Sequence, residues 1–208
     1  VVSSHPLNVG GLGETGCLAA NLLAPEADLI IGIGTRYTDF TTASKSLFKH
    51  TDVTFLNLNI SPCDAVKLDG VQVLGDARVA LEALADALGD YRAGWGEQVR
   101  EAKAQLQAEV DRVHQVEYQG DGFVPEVDDR LDRAVLREFI ELTGSCLTQS
   151  RVLGVLNDTL ADDAIIVAAA GSLPGDLQRV WRSKGVNTYH VEYVYSCMGY
   201  EINAALGG

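Results

Sequence analysis

The chain has 208 residues, 47% of them hydrophobic and 22% charged, a balance that excludes large-scale disorder and suits a soluble globular protein with core for one or two small domains. A formal net charge of −13 excludes nucleic acid as a partner, because a phosphate backbone is bound by clustered Lys and Arg. No apolar run approaches the ~18 to 20 residues of a membrane span, and VVSSHPLN at the start lacks the basic and apolar regions of a signal peptide, so no membrane partner and a cytoplasmic setting are expected. In chain order, a glycine-rich loop at 9–16 (VGGLGETG) leads into an expected helix over Thr15–Leu23. Ala27–Ile33 (ADLIIGI) reads as a buried strand, β-branched and bounded by Pro25 and Gly34. A helix is expected over Thr41–Phe48, a strand over Val53–Asn59, where apolar and polar residues alternate, and a turn at Ile60–Asp64 from Ser61 and Pro62. Val71–Leu74 is a brief strand, and Asp76 is positioned to cap a helix that runs to Leu88.

The texture then changes. Trp95 to about Tyr118 is rich in helix formers and charge, with a thin apolar stripe through Val99, Ala102, Leu106, Val110 and Val113, so a solvent-washed connecting helix is expected, with His114 as an ordinary surface histidine on its polar side. Gly120–Arg133 carries Gly, Pro and four Asp and reads as a linker. Its Gly-Asp-Gly is not assigned to metal, because no strand precedes it. A second α/β unit opens at Thr148, expected to cap a helix over Gln149–Leu160. Strands at Ala164–Ala169 and Asn187–Glu192 follow, separated by a loop at Gly171–Gly175 and a short helix at Asp176–Trp181, and Gly199 starts a last helix. Two strands alone make no stable sheet buried on both faces. Together with Val1 in place of an initiator Met, this suggests an internal piece of a longer protein.

Cys17, Cys63, Cys146 and Cys197 are widely spaced, with no Cys-x-x-Cys and no His cluster, and read as free thiols rather than a zinc or disulfide framework. Gly11, Gly13 and Gly16 satisfy G-x-G-x-x-G, whose amides could face a diphosphate. The residues before it (His5, Pro6, Asn8) are not a strand, and Gly34-Thr35 stands where a dinucleotide fold places its ribose-binding acid. A packing turn is the favoured reading. The segments Gly171-Ser172-Leu173-Pro174 and Tyr195-Ser196-Cys197-Met198-Gly199 lie at the carboxyl ends of adjacent expected strands and should converge on one crevice, a place suited to a phosphorylated cofactor.

At these residues the chain resembles thiamine diphosphate enzymes of the acetolactate synthase type. The resemblance runs through HPLNVGGLGETGCLAAN, ADLIIGIGTRYTDFTTASKSLF, VPEVDDRLD, AAAGSLPGDLQRVW and YHVEYVYSCMGYE, and the last two are most similar to the family's hydrolases of inositol breakdown, which open a cyclic dione. It implies an α/β chain in which residues 1–90 are a trimmed, Rossmann-like middle domain with a parallel sheet. Residues 91–146 would be a connecting helix and linker, and 147–208 the incomplete start of the diphosphate-binding domain. It also implies thiamine diphosphate with magnesium (Mg2+), the metal ligands lying outside this chain, and a homodimer or homotetramer for the full-length protein. Gly171, Ser172 and Leu173 would lie by the diphosphate. The Ser196 carbonyl would accept from the cofactor's 4'-amino group and the Met198 amide would donate to a ring nitrogen, with Cys197 between them. The Met198 side chain would wedge the cofactor into a bent form. Val194 stands where the family usually has Gly, which would strain the loop if φ there is positive. Arg36 and Asp39 match the middle-domain pattern, with loop bracing as their favoured role. A related carboligase or decarboxylase, or a non-catalytic nucleotide-binding module built on the 9–16 loop, are the alternatives.

Overall fold

The computed structural model describes residues 2–118, 133–144, 146–193 and 195–207, so the expected linker with its Gly-Asp-Gly and residue Val194 lie outside the described residues. The chain forms two compact units, one of His5–Leu106 and one of Val1–Ser4 with Gln107–Gly208.

In the first unit, β1 (Leu29–Ile33), β2 (Thr54–Asn59) and β3 (Val71–Leu74) form a parallel sheet in the order β1-β2-β3, each within two residues of its expected span. The register pairs Ile31 with Leu56 and Leu56 with Val71, so one face of the sheet is aliphatic. The other face carries Phe55, Asn57 and Asn59, all buried. Helix α1 is Leu18–Leu23, shorter than the expected Thr15–Leu23. Residues 13–17 are held instead as a turn by the Asn21 side chain, which accepts from the Gly13 amide at 3.0 Å and donates to the Gly13 carbonyl at 2.7 Å.

The helix expected over Thr41–Phe48 is α2 at Asp39–Thr42, with the Thr41 amide donating to the Thr38 hydroxyl. It stops because Ala43, Ser44 and Lys45 all take positive φ, a run that no right-handed helix accommodates. The turn chemistry at 60–64 becomes α3 (Pro62–Ala65), with Pro in the first turn where its missing N–H costs nothing. Helix α4 (Ala77–Leu88) starts as expected, the Asp76 carboxylate accepting from the amides of Arg78 and Val79. Helix α5 is Gly96–Gln115.

In the second unit, β4 (Glu117–Tyr118) and β5 (Cys146–Leu147) pair antiparallel, and α6 spans Arg133–Thr143; none of these was anticipated. Helix α7 (Gln149–Thr159) is capped by Thr148, which accepts from the Arg151 amide. Strands β6 (Ile166–Ala168) and β7 (Tyr189–Val191) pair parallel, Val167 opposite His190. Buried Asn157 of α7 binds residue 182 twice, donating to its carbonyl and accepting from its amide, each at 3.1 Å. Helix α8 is Ser172–Val180 and α9 is Tyr200–Gly207. His114 is not a surface histidine: it is half-buried against Gly154 of α7, and its Nε2 is buried with no hydrogen-bond partner among the described residues.

Candidate functional site

The glycine loop at 9–16 spends several of its backbone groups on bonds within the protein. Gly16 donates to the Gly13 carbonyl, Cys17 to Gly11 and Glu14 to Phe40, and the Gly13 amide is taken by Asn21. Gly13 has φ +121°, and a Cβ there would overlap the Phe40 carbonyl oxygen, so glycine is needed for close packing rather than to admit a ligand. Within the G-x-G-x-x-G stretch the amides of Gly13, Glu14 and Gly16 are already paired.

The two C-terminal segments behave differently. Because β6 and β7 run parallel, the residues that follow them leave the same end of the strand pair, where α/β folds place their ligands. They meet there: the Tyr193 hydroxyl donates to the Gly171 carbonyl at 3.2 Å. Gly171 is the N-cap of α8 with φ +142°, a value that favours glycine. The helix begins at Ser172, so the expected loop at 171–175 and helix from Asp176 are corrected. The Ser172–Pro174 stretch is the first helical turn, since Pro174 suits a position whose amide would be unpaired anyway. Ser172 and Leu173 therefore present N-terminal amides and the positive end of the helix dipole at the crevice.

Across from them, residues 195–199 are exposed. The Glu192 carboxylate accepts from the Tyr195 amide at 2.8 Å through Oε1 and from the Cys197 amide at 3.0 Å through Oε2. Ser196, between the two donors, has φ +54°. The Gly199 amide donates to Glu201 and the Tyr200 amide to the Cys197 carbonyl, starting α9. Among the described residues no hydrogen bond reaches the Ser196 carbonyl or leaves the Met198 amide. Among the described residues the Ser196 carbonyl and the Met198 amide, two residues apart, are thus open to a ligand.

Beside this crevice lies an apolar cavity of about 290 Å3 walled by Leu153, Ile166, Ala168, Leu177 and Trp181, with Leu173 and Glu201 also in its wall. Ser196, Cys197 and Met198 do not line it, and Met198 is 89% exposed. The Tyr193 side chain, just before one segment, bonds the first residue of the other, whereas the Met198 thioether reaches no described cavity. Sequence reasoning missed Glu192 and Tyr193, the residues that shape the crevice. A carboxylate closing the expected strand and a phenol just past it, beside small loop residues, were the available signal. Arg36 and Asp39 lie in the other unit; the Arg36 carbonyl accepts from Lys67 Nζ at 2.6 Å, and Asp39 opens α2.

Residues 1–84 match the family described as thiamine pyrophosphate enzyme, central domain. Over its whole length the chain is 54% identical to the 3D-(3,5/4)-trihydroxycyclohexane-1,2-dione hydrolase of Bacillus thuringiensis, covering 32% of that protein. It is 55% identical to the protein of the same name from Geobacillus thermodenitrificans, again covering 32% of it. The chain thus spans about a third of the length of the curated relatives it matches. The parallel α/β sheet of residues 29–74 lies within the stretch that matches the central-domain family, and the similarity to these hydrolases runs from end to end of the chain.

Proposed function

We propose that this chain is part of a longer thiamine diphosphate-dependent hydrolase that opens the ring of trihydroxycyclohexane-1,2-dione by hydrolysing a carbon–carbon bond, in inositol catabolism. The observation that carries this reading is the Tyr193–Gly171 bond at the carboxyl end of the parallel β6–β7 pair, the end from which the 171–174 and 195–199 segments both leave. The end-to-end similarity to hydrolases of that name supports the substrate.

The residues present fit the cofactor in two respects: Ser172 and Leu173 offer helix N-terminal amides for a diphosphate, and the 196–198 stretch keeps an acceptor and a donor unpaired. When bound, thiamine diphosphate supplies a nucleophilic carbon and an electron sink for breaking a bond beside a ketone. This chain's part is to bind and orient it. Gly171 would let the backbone approach, Ser172 and Leu173 would donate to the diphosphate, the Ser196 carbonyl and Met198 amide would hold the aminopyrimidine, and Cys197 would set their spacing. The Met198 side chain, exposed here, would pack against the bound cofactor. Backbone groups suit this task because they hold an orientation without losing side-chain freedom. Magnesium would accompany the diphosphate on ligands elsewhere in the longer protein; among the described residues no group of three or more His, Cys, Asp or Glu is placed to hold a metal. The functional enzyme is proposed to be a cytoplasmic homodimer or homotetramer, with residues 1–90, 91–146 and 147–208 as middle domain, connector and start of the diphosphate-binding domain.

A carboligase or decarboxylase of the same cofactor class is the second reading. The longer polypeptide, assayed with and without thiamine diphosphate and magnesium, is expected to open the cyclic dione only with cofactor and to leave pyruvate untouched. Preferential turnover of pyruvate would overturn the substrate assignment, and cofactor-independent ring opening would overturn the class.

A further inference from the structure

We propose that Glu192 is a positioning residue for the cofactor: its carboxylate clamps the 195–199 loop so that the Ser196 carbonyl and Met198 amide stay open. The inference rests on the function proposed above. Glu192 follows β7 directly and is anchored to the sheet, its own amide donating to the Ala168 carbonyl at 3.0 Å. Each of its carboxylate oxygens takes one backbone amide, from Tyr195 at 2.8 Å and from Cys197 at 3.0 Å. Two amides flanking a residue of positive φ form a concave anion site, and here the protein fills that site with its own anion.

The arrangement has two consequences. Ser196 is held at φ +54°, a conformation that a non-glycine residue adopts at a cost and keeps when its surroundings fix it. The clamp engages the amides of 195 and 197 and holds the loop in a shape in which, among the described residues, the 196 carbonyl and the 198 amide are unpaired. A carboxylate suits this role better than an amide side chain because it is acceptor-only at both oxygens, and its bonds to backbone N–H are charge-assisted. Glutamine offers one acceptor, and its NH2 group would confront a backbone N–H.

The test uses Glu192→Gln and Glu192→Ala in the longer polypeptide, with thiamine diphosphate as the probe. Titrations without substrate give the cofactor Kd, and amide exchange in the cofactor-free protein follows the amides of Tyr195 and Cys197. The expected result is a Kd raised about tenfold for Glu192→Gln and further for Glu192→Ala, which corresponds to about 1.4 kcal/mol for the first. Faster exchange at both amides and an unchanged Tm should accompany it. Wild-type Kd values in both variants would overturn the positioning role, as would unchanged exchange, which would show that the clamp does not hold the loop. If the unsubstituted protein itself binds no thiamine diphosphate, the functional reading fails and the positioning role falls with it; normal binding by that protein and by both variants sinks the positioning role alone.

Discussion

Asn57 lies mid-strand in β2 with 2% of its surface exposed, and its amide group is fully engaged. It donates to the carbonyls of Ala65 at 2.9 Å and Lys67 at 2.7 Å, and accepts from the Tyr37 hydroxyl at 2.8 Å. The side chain thereby pins the segments after β1 and β2 onto the carboxyl end of the sheet, and burial raises the Tyr37 phenol above its ordinary pKa. Asn57→Ala would leave two carbonyls and one hydroxyl without their partner, and each orphaned buried group costs about 1–3 kcal/mol. We expect a loss of roughly 2–4 kcal/mol, allowing for water entering the gap, measured by urea unfolding with Trp95 as probe and Trp181 replaced by Phe. Alternation in TFLNLN identified the strand, and the structure buries its polar members Asn57 and Asn59. Their NH2 groups donate to backbone carbonyls: Asn57 to those eight and ten residues away, Asn59 to that of Thr35 at 2.9 Å. Periodicity gives the face a residue shares, and only the fold of the following loops decides whether that face is wet.

At the scale of elements, α5 and α7 meet where a ring lies against a residue without a side chain. A Cβ added at Gly154 would fall 2.7 Å from His114 Cγ and 2.8 Å from His114 Cβ, closer than carbon atoms pack. Gly154→Ala gains roughly 1 kcal/mol of helix propensity, but the overpacking it forces costs about 1–3 kcal/mol, so a net destabilisation of about 1 kcal/mol is expected. Burial, and next the Arg182 guanidinium, lower the His114 pKa below its ordinary 6.5, while Asp158 and Asp111 oppose them. The carbonyl of His114 also accepts from Arg151 at 3.4 Å.

The folded state therefore disfavours protonated His114, and the unfolded chain binds that proton first. Stability contributed here is complete above pH 6.5 and is lost as pH falls through the lower folded pKa. Urea midpoints of the 107–208 unit, read by Trp181 with Trp95 replaced by Phe, should drop between pH 7 and pH 5. In His114→Leu this step should vanish, and its persistence would assign it to another group. The Asp111 carboxyl, held below its usual range by Arg182 and then Gln107, acts in a different window: its contribution is present above pH 3.8 and lost below it, so it does not mask the histidine. The histidine was misread because its partner lies forty residues on and a lone glycine inside a helical pattern is weak punctuation. The start of α8 was misread because Gly-Ser-Leu-Pro has turn composition, yet Pro174 falls in the first turn, where a helix tolerates it. By contrast β3 and the caps at Asp76 and Thr148 were legible, since their causes are local: a β-branched run, and a side-chain oxygen beside unpaired amides.

At the scale of the whole molecule, the N-terminal unit leaves much of one sheet face uncovered. Register places Leu29, Ile31 and Ile33 of β1 on the same face as Leu56 and Leu58 of β2 and Val71 and Val73 of β3. Leu58 is buried, but Leu29, Ile31, Ile33 and Val71 are 41–59% exposed. Parallel sheets bury both faces, and among the described residues β1 pairs on one edge only. An apolar face of this kind favours association. For the 208-residue chain by itself, a net charge of −13 opposes self-association at low ionic strength, and salt screens that repulsion within about 10 Å at 0.1 M. The expected outcome is a weight-average mass that rises with concentration in sedimentation experiments and rises further with salt, the opposite of what charge pairing would give. Leu29→Lys with Val71→Lys, both at half-exposed edge-strand positions, should restore a monomer while leaving the urea midpoint within about 1 kcal/mol of the parent. The longer polypeptide, if it covers this face as a middle domain requires, should show no such salt-driven growth, and equal growth there would place the association on some other surface.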